Sequence, residues 1–379
     1  MAKEKKIGFW ERFAKKELSR IGHAQDADEL FILTEEEIAV LKKIQGTTYW
    51  KVGLAGALGV ALLFVPYYLF GATLFPMNKI WIPYYDKYID VEISFLVYSL
   101  VLVLAEIWFL TYTNIRSVAK IAHACGHPNP SDQNFENNVN ALIAVGLEKK
   151  QTELKAIGIN PYEGLHPYSV FTYQIILKLK ATLSGILFKL LVKKMLGRYA
   201  LRAIIDFAGM PIYAFWNIWG ARQVMNEARI RVMAPPLIKR CAEELYLQQK
   251  ENPEFKKVLY DTLQLISESK RSFHYNHFLL SITMFEKFGI EIKEKPTYND
   301  DYLEEIPNLS PLTRKGVQQL FVFGIMIDGS LSRREKKAIR FLISKGILAY
   351  SEEEVAQWCK DYFEGRGIEA FFKESNQVN

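Results

Sequence analysis

The chain has 379 residues, half of them hydrophobic and 24% charged, with a formal net charge of +6 and three cysteines. Cys125, Cys241 and Cys359 are widely spaced and odd in number, which excludes a disulfide framework and reads as reduced, buried thiols. The basic balance suits a neighbour such as anionic lipid. It comes without the basic patch on a recognisable fold that nucleic acid requires, so nucleic acid is excluded as a partner.

Residues 1–48 read as a cytoplasmic amphipathic lead-in. Phe9, Trp10, Phe13 and Leu18 alternate with Lys15, Lys16 and Arg20 at helical spacing, as in a helix lying at a bilayer interface. Thr34 and Glu37 have the spacing of a capping box. They predict a second, short helix with Ile38, Leu41 and Ile44 on one face.

Residues 49–115 read as a transmembrane hairpin. Val52 to Phe75 carries no charge, and Ile93 to Ile115 is interrupted only by Glu106. Each exceeds the roughly 20 residues that cross a hydrocarbon core. The mean hydropathy of -0.02 conceals both, because charged segments elsewhere dilute them. A signal peptide does not fit the first run, which follows a long charged segment. Lys42, Lys43 and Lys51 precede the first span and Arg116 and Lys120 follow the second, whereas the connecting loop mixes Lys79 and Lys87 with Asp86, Asp90 and Glu92. Positive residues therefore place both termini in the cytoplasm. Tyr49, Trp50, Trp81, Tyr84, Tyr85 and Tyr88 sit where interfacial aromatic rings belong.

Glu106 is the sharpest single residue. An acid within a span faces protein or water. Its level along the hairpin matches Gly56 to Ala61, on a helix face of small residues that permits close approach. It reads either as an uncharged acid hydrogen-bonded to a helix partner or as a proton- or cation-binding group.

Residues 116–168 form a juxtamembrane connector, turn-rich after Pro128 and Pro130. His123, Cys125 and His127 are candidate metal ligands if extended. On a helix they diverge by about 100° per residue.

Residues 169–221 read as an amphipathic and apolar membrane-associated helical pair. Burying the lysines of 169–197 would cost about 2.5–3.5 kcal/mol each near the bilayer centre, so a surface-lying helix is expected. The Gly209-Met210-Pro211 step predicts a kink in the apolar stretch Ala203 to Ala221, which could instead be core. Lys189, Lys193, Lys194, Arg198, Arg202, Arg222 and Arg229 are candidate lipid-phosphate contacts, with internal pairing to Asp206 and Glu227 as the alternative.

Residues 222–308 are a helical cytoplasmic region, predicted to break at Pro235-Pro236, with helical patterning over Pro253 to Phe288. His274 and His277 read as part of a packed aromatic face. Residues 309–379 form a compact helical module. Leu320 to Met326 leads into Asp328-Gly329-Ser330-Leu331-Ser332, then Arg333, Arg334 and Glu335, and Ser332 and Glu335 fit a capping box.

This helix–D-G-x-x-S-x-x-E–helix pattern resembles TerB-like domains, helical modules associated with tellurite resistance and membrane stress. The resemblance implies Asp328 and Glu335 as metal ligands, although one copy of the motif is visible here. The stretch Gly197 to Asn217, with Ala228 to Pro235, resembles EcsC-like proteins and an uncharacterised family of bacterial membrane proteins. That implies a bacterial inner-membrane location and no activity.

No strand pairs stand out, so the expected fold is an all-α membrane protein: a two-helix transmembrane hairpin, amphipathic or re-entrant helices, and a helical cytoplasmic domain. No nucleotide-binding, metalloprotease or nucleophile-elbow motif occurs. The expected role is a non-enzymatic assembly platform without a cofactor, with the bilayer, anionic headgroups and an unidentified protein as partners and self-association possible. The alternative is an oligomeric ion or proton transporter that uses Glu106.

Overall fold

The computed structural model describes residues 9–19, 32–82, 87–126, 135–146, 159, 202–271, 274–292, 298–299 and 301–377. These are helical except for loops and one small hairpin. The chain divides into two units: Lys42–Lys120 with Pro167–Met225, and Met1–Leu41, Ile121–His166 and Asn226–Asn379 together. The expected helix over 169–197 lies outside the described residues.

The first unit is built on two long helices. Helix α2 (Glu35–Leu74) follows the short α1 (Phe9–Ser19), and α3 is Ile93–Ala124. The capping box is present, with Glu37 N donating to Thr34 Oγ1 at 3.2 Å and Thr34 N to Glu37 Oε2 at 2.8 Å. The helix it opens is not a short one, however. It continues into the first apolar run, because nothing between Gln45 and Lys51 forbids helical backbone. Pro66 lies inside α2 and Phe70 departs from helical geometry. Proline has no N–H to give the carbonyl four residues back. That carbonyl, on Leu62, instead accepts from Tyr98 Oη of α3 at 2.7 Å. The satisfied carbonyl explains how proline is accommodated in so apolar a helix.

Between the helices, β1 (Asn78–Ile82) pairs antiparallel with β2 (Lys87–Val91), placing Trp81 opposite Tyr88. This hairpin departs from the all-α expectation. Its five-residue strands mix apolar and charged residues too briefly to show an alternating pattern. Tyr67, Phe75, Phe95 and Tyr98 form an aromatic cluster nearby, with Tyr67–Phe95 centroids 4.8 Å apart. Helices α2 and α3 are both long and apolar enough to cross a membrane.

A third helix, α5 (Arg202–Gln249), follows α4 (Phe135–Gly146). It runs through Pro211 and Pro235-Pro236, where breaks were expected. A helical proline costs about 3 kcal/mol. Around the second site that cost is offset by burial of Val232, Met233, Ala234, Leu237 and Ile238, all at most 5% exposed.

The second unit is a helical core. Asn252 caps α6 (Pro253–Lys270), which ends at Arg271 in the left-handed region. His274 caps α7 (Tyr275–Phe288), which closes on Gly289. After the short α8 (Tyr302–Glu305) and a 3-10 turn, Ile306–Asn308, come α9 (Pro311–Met326), α10 (Arg333–Ser344), α11 (Glu352–Glu364) and α12 (Glu369–Gln377). Both Ser332/Glu335 and Ser351/Glu354 form full capping boxes. Helix α9 is the centre of this unit, buried along nearly its whole length. It sits so close to α6 that a Cβ on Gly324 would lie 2.6 Å from Ile266 Cδ1.

Candidate functional site

Two polar clusters stand out, one in each unit. In the first, Glu106 on α3 is half-buried. Asn217 on α5 donates from Nδ2 to Glu106 Oε1 at 2.7 Å, and the same nitrogen lies 3.3 Å from the carbonyl of Val52. The glycines of α2 make this possible. A Cβ on Gly56 would lie 2.7 Å from Asn217 Nδ2 and 2.8 Å from the Tyr213 carbonyl, and one on Gly53 would lie 2.8 Å from Ile218 Cδ1. Gly59 faces Glu106 itself: a Cβ there would lie 3.5 Å from its Oε2. The small face expected on α2 is therefore the seat for α5 as well as for the acid. Sequence reasoning missed Asn217 as the acid's partner. The available signal was an amide within an otherwise apolar stretch.

The second cluster surrounds Lys270, the last residue of α6. Its side chain is 2% exposed. Nζ donates to Asp328 Oδ1 at 2.7 Å and to the Ser330 carbonyl at 3.0 Å, and is ion-paired with Glu335. Gly329, at a φ of +68°, lets the loop turn back on itself, and Ser330 N donates to Asp328 Oδ1 at 3.0 Å. The D-G-x-x-S-x-x-E loop thus wraps an ammonium group. Asp328 and Glu335, expected as metal ligands, have their buried cation from the chain itself. Burial works to lower the Lys270 pKa, but Asp328 and Glu335 outweigh it and hold the lysine charged. Burial likewise opposes Asp328 ionisation, and Lys270 reverses it, so the Asp328 pKa lies below the usual carboxylate range.

His277 adjoins this cluster. Its Nε2 lies 3.0 Å from the Gly324 carbonyl, which can only accept, so Nε2 carries the proton. Burial pushes its pKa down to about 3. His274 accepts from Asn276 N through Nδ1, which leaves its Nε2–H facing Glu227 Oε1 at 3.0 Å. Arg231 reaches the same oxygen at 2.6 Å and donates to the Ala141 carbonyl. Burial opposes Glu227 ionisation, but His274 and Arg231 prevail and bring its pKa down to about 2.

These depressed values set an acid sensitivity. The unfolded chain protonates His277 near pH 6.5, whereas the folded chain refuses the proton until about pH 3. Stability is therefore full above pH 6.5 and falls through that window as pH drops. Glu227 adds a loss between about pH 4.5 and 2 with the same sign. The urea midpoint of the detergent-solubilised protein is expected to fall from pH 7.5 to 5. In His277→Gln, which keeps a donor for Gly324, it should fall less. An equal slope in both proteins would refute the assignment.

The remaining expected sites are dispersed. His123 is exposed, with Nε2 3.4 Å from the Glu17 carbonyl. Cys125 is buried and its thiol is pushed up to about 12 by that burial, which disfavours the thiolate a metal needs. His127 lies outside the described residues. Among the described residues no group of three or more His, Cys, Asp or Glu side chains converges. Lys189, Lys193, Lys194 and Arg198 also lie outside the described residues, and only the backbone of Arg202, at the start of α5, is described. Arg222 is exposed, but Arg229, expected at lipid, is half-buried with its guanidinium 4.5 Å over the Phe363 ring.

No family model, curated protein or solved structure matches the chain.

Proposed function

We propose that this chain is a two-span bacterial inner-membrane protein, with both termini in the cytoplasm, that acts as a non-enzymatic assembly platform. The observation that carries the reading is the apolar surface of α2 and α3. Leu96, Val97, Leu100 and Leu104 on α3 are each more than half exposed, as are Leu62 and Leu69 on α2. Water does not tolerate so continuous an apolar surface, and lipid does. The buried titratable groups of the helical unit are engaged internally: Lys270 with Asp328 and Glu335, and Glu227 with His274 and Arg231. That favours a rigid presenting module over a reactive site. The Asp328-to-Glu335 loop supports a TerB-like assignment for its last helices, with envelope stress as the setting.

Impermeant thiol labelling in spheroplasts tests the topology. A single cysteine at Asn78 is expected to react, and one at Asn376 is not. The native thiols contribute little background, because burial pushes Cys125 and Cys359 up to about 12 and also raises Cys241 well above the ordinary thiol value. Equal labelling at both positions would end the two-span reading.

A further inference from the structure

Between the basic-flanked ends of α2 and α3 lies a cavity of about 360 Å³. Lys43 and Lys51 line it from α2, and Arg116 and Lys120 from α3. Residues 43, 47 and 51 recur every fourth position, as do 112, 116 and 120, so each helix turns one continuous polar stripe toward the same space. No acidic side chain is among the cavity's lining.

The floor is already satisfied. Thr48 Oγ1 donates to the Ile44 carbonyl at 2.7 Å and so accepts from Ser117 Oγ, 2.8 Å away. These hydroxyls join the helices and leave ligand binding to the charged rim. There Arg116 is held in place, its Nη1 2.7 Å from Tyr112 Oη and its guanidinium 5.3 Å from that ring. Four cations around one opening favour an anion with several acceptor oxygens, and a guanidinium fork matches phosphate geometry.

We propose that this cavity binds the phosphate headgroup of an anionic phospholipid. A free phosphate shares the chemistry, but the surroundings favour the lipid. Phe109 and Tyr112 of α3 also line the cavity. Trp108, 53% exposed, stacks on Tyr112 at 5.6 Å and continues into the exposed Ile107 and Leu104. An acyl chain therefore has apolar surface running directly from the headgroup seat. The site rests on the membrane reading above and adds a defined ligand to it.

The test uses the full chain in detergent, with bound lipid counted by native mass spectrometry. Phosphatidylglycerol is expected to be retained over phosphatidylcholine. The double variant Lys51→Gln/Arg116→Gln should lose occupancy roughly tenfold or more. Lys51→Arg/Arg116→Lys, which keeps the charge, should retain most of it. Lys42→Gln/Lys79→Gln, which removes two positive charges outside the cavity, should bind like wild type, and circular dichroism verifies that each variant is folded. Equal retention of the two lipids, or undiminished binding in the folded Gln variant, would overturn the site. Displacement of the lipid by millimolar inorganic phosphate would overturn the lipid assignment in favour of a free anion. The cysteine labelling tests the spans independently, so failure here with Asn78 labelled selectively sinks the pocket alone.

Discussion

Lys270→Met is expected to destabilise the helical unit by about 3–5 kcal/mol, the usual consequence of removing one partner from a buried ion pair. The side chains of Asp328 and Glu335 are 10% and 2% exposed, so neither carboxylate regains water when the ammonium is removed. The same change should reverse the local pH trend. Without the lysine, one carboxylate escapes repulsion by taking up a proton, so the loss should be largest near pH 8 and shrink toward pH 4.5. Hydrogen exchange of the α6 and α9 amides in the full-length protein reads this directly. Adding Asp328→Asn and Glu335→Gln should recover much of the loss. A Lys270→Met protein with unchanged protection at pH 8 would show that the cluster does not hold these helices together.

Gly56→Leu should disrupt the packing of α2 against α5 at a cost of about 3 kcal/mol, the upper end for overpacking. A Cβ alone already falls 2.8 Å from the Tyr213 backbone, and backbone cannot move aside as a side-chain tip can. The helix must shift, and Asn217 then loses its hold on Glu106. Gly59→Ala is the matched control, since its Cβ meets Glu106 at an ordinary 3.5 Å. Thermal unfolding in detergent should separate the two. Glu106→Gln keeps an acceptor for Asn217, so assembly and cellular function are expected to survive. Glu106→Leu should cost about 1 kcal/mol. A well-assembled but inactive Gln variant would shift the reading to the transporter.

What was legible in the sequence had short-range causes. The Thr34/Glu37 and Ser332/Glu335 boxes join residues three apart, and each formed as their spacing requires. The glycine face of α2 follows from helical periodicity, and its level with Glu106 follows from counting along the two apolar runs. The partners of the polar groups were not legible. Asn217 is 111 positions from Glu106, and Lys270 is 58 from Asp328. Nothing local separates Lys270 from the chain's many exposed lysines.

The proline positions divide the two kinds of information most clearly. By itself the sequence determined which segments are apolar enough for lipid, where helices start, and which residue types are costly within them, because those depend on composition and neighbours. It also carried the proline penalties, but not what offsets them. Only the tertiary structure decided that α5 runs on through Pro235-Pro236, that Tyr98 satisfies the carbonyl released by Pro66, and that Asp328 and Glu335 close on a lysine. Each of these balances a local cost against a contact from a remote segment, and that contact exists only once the helices have packed.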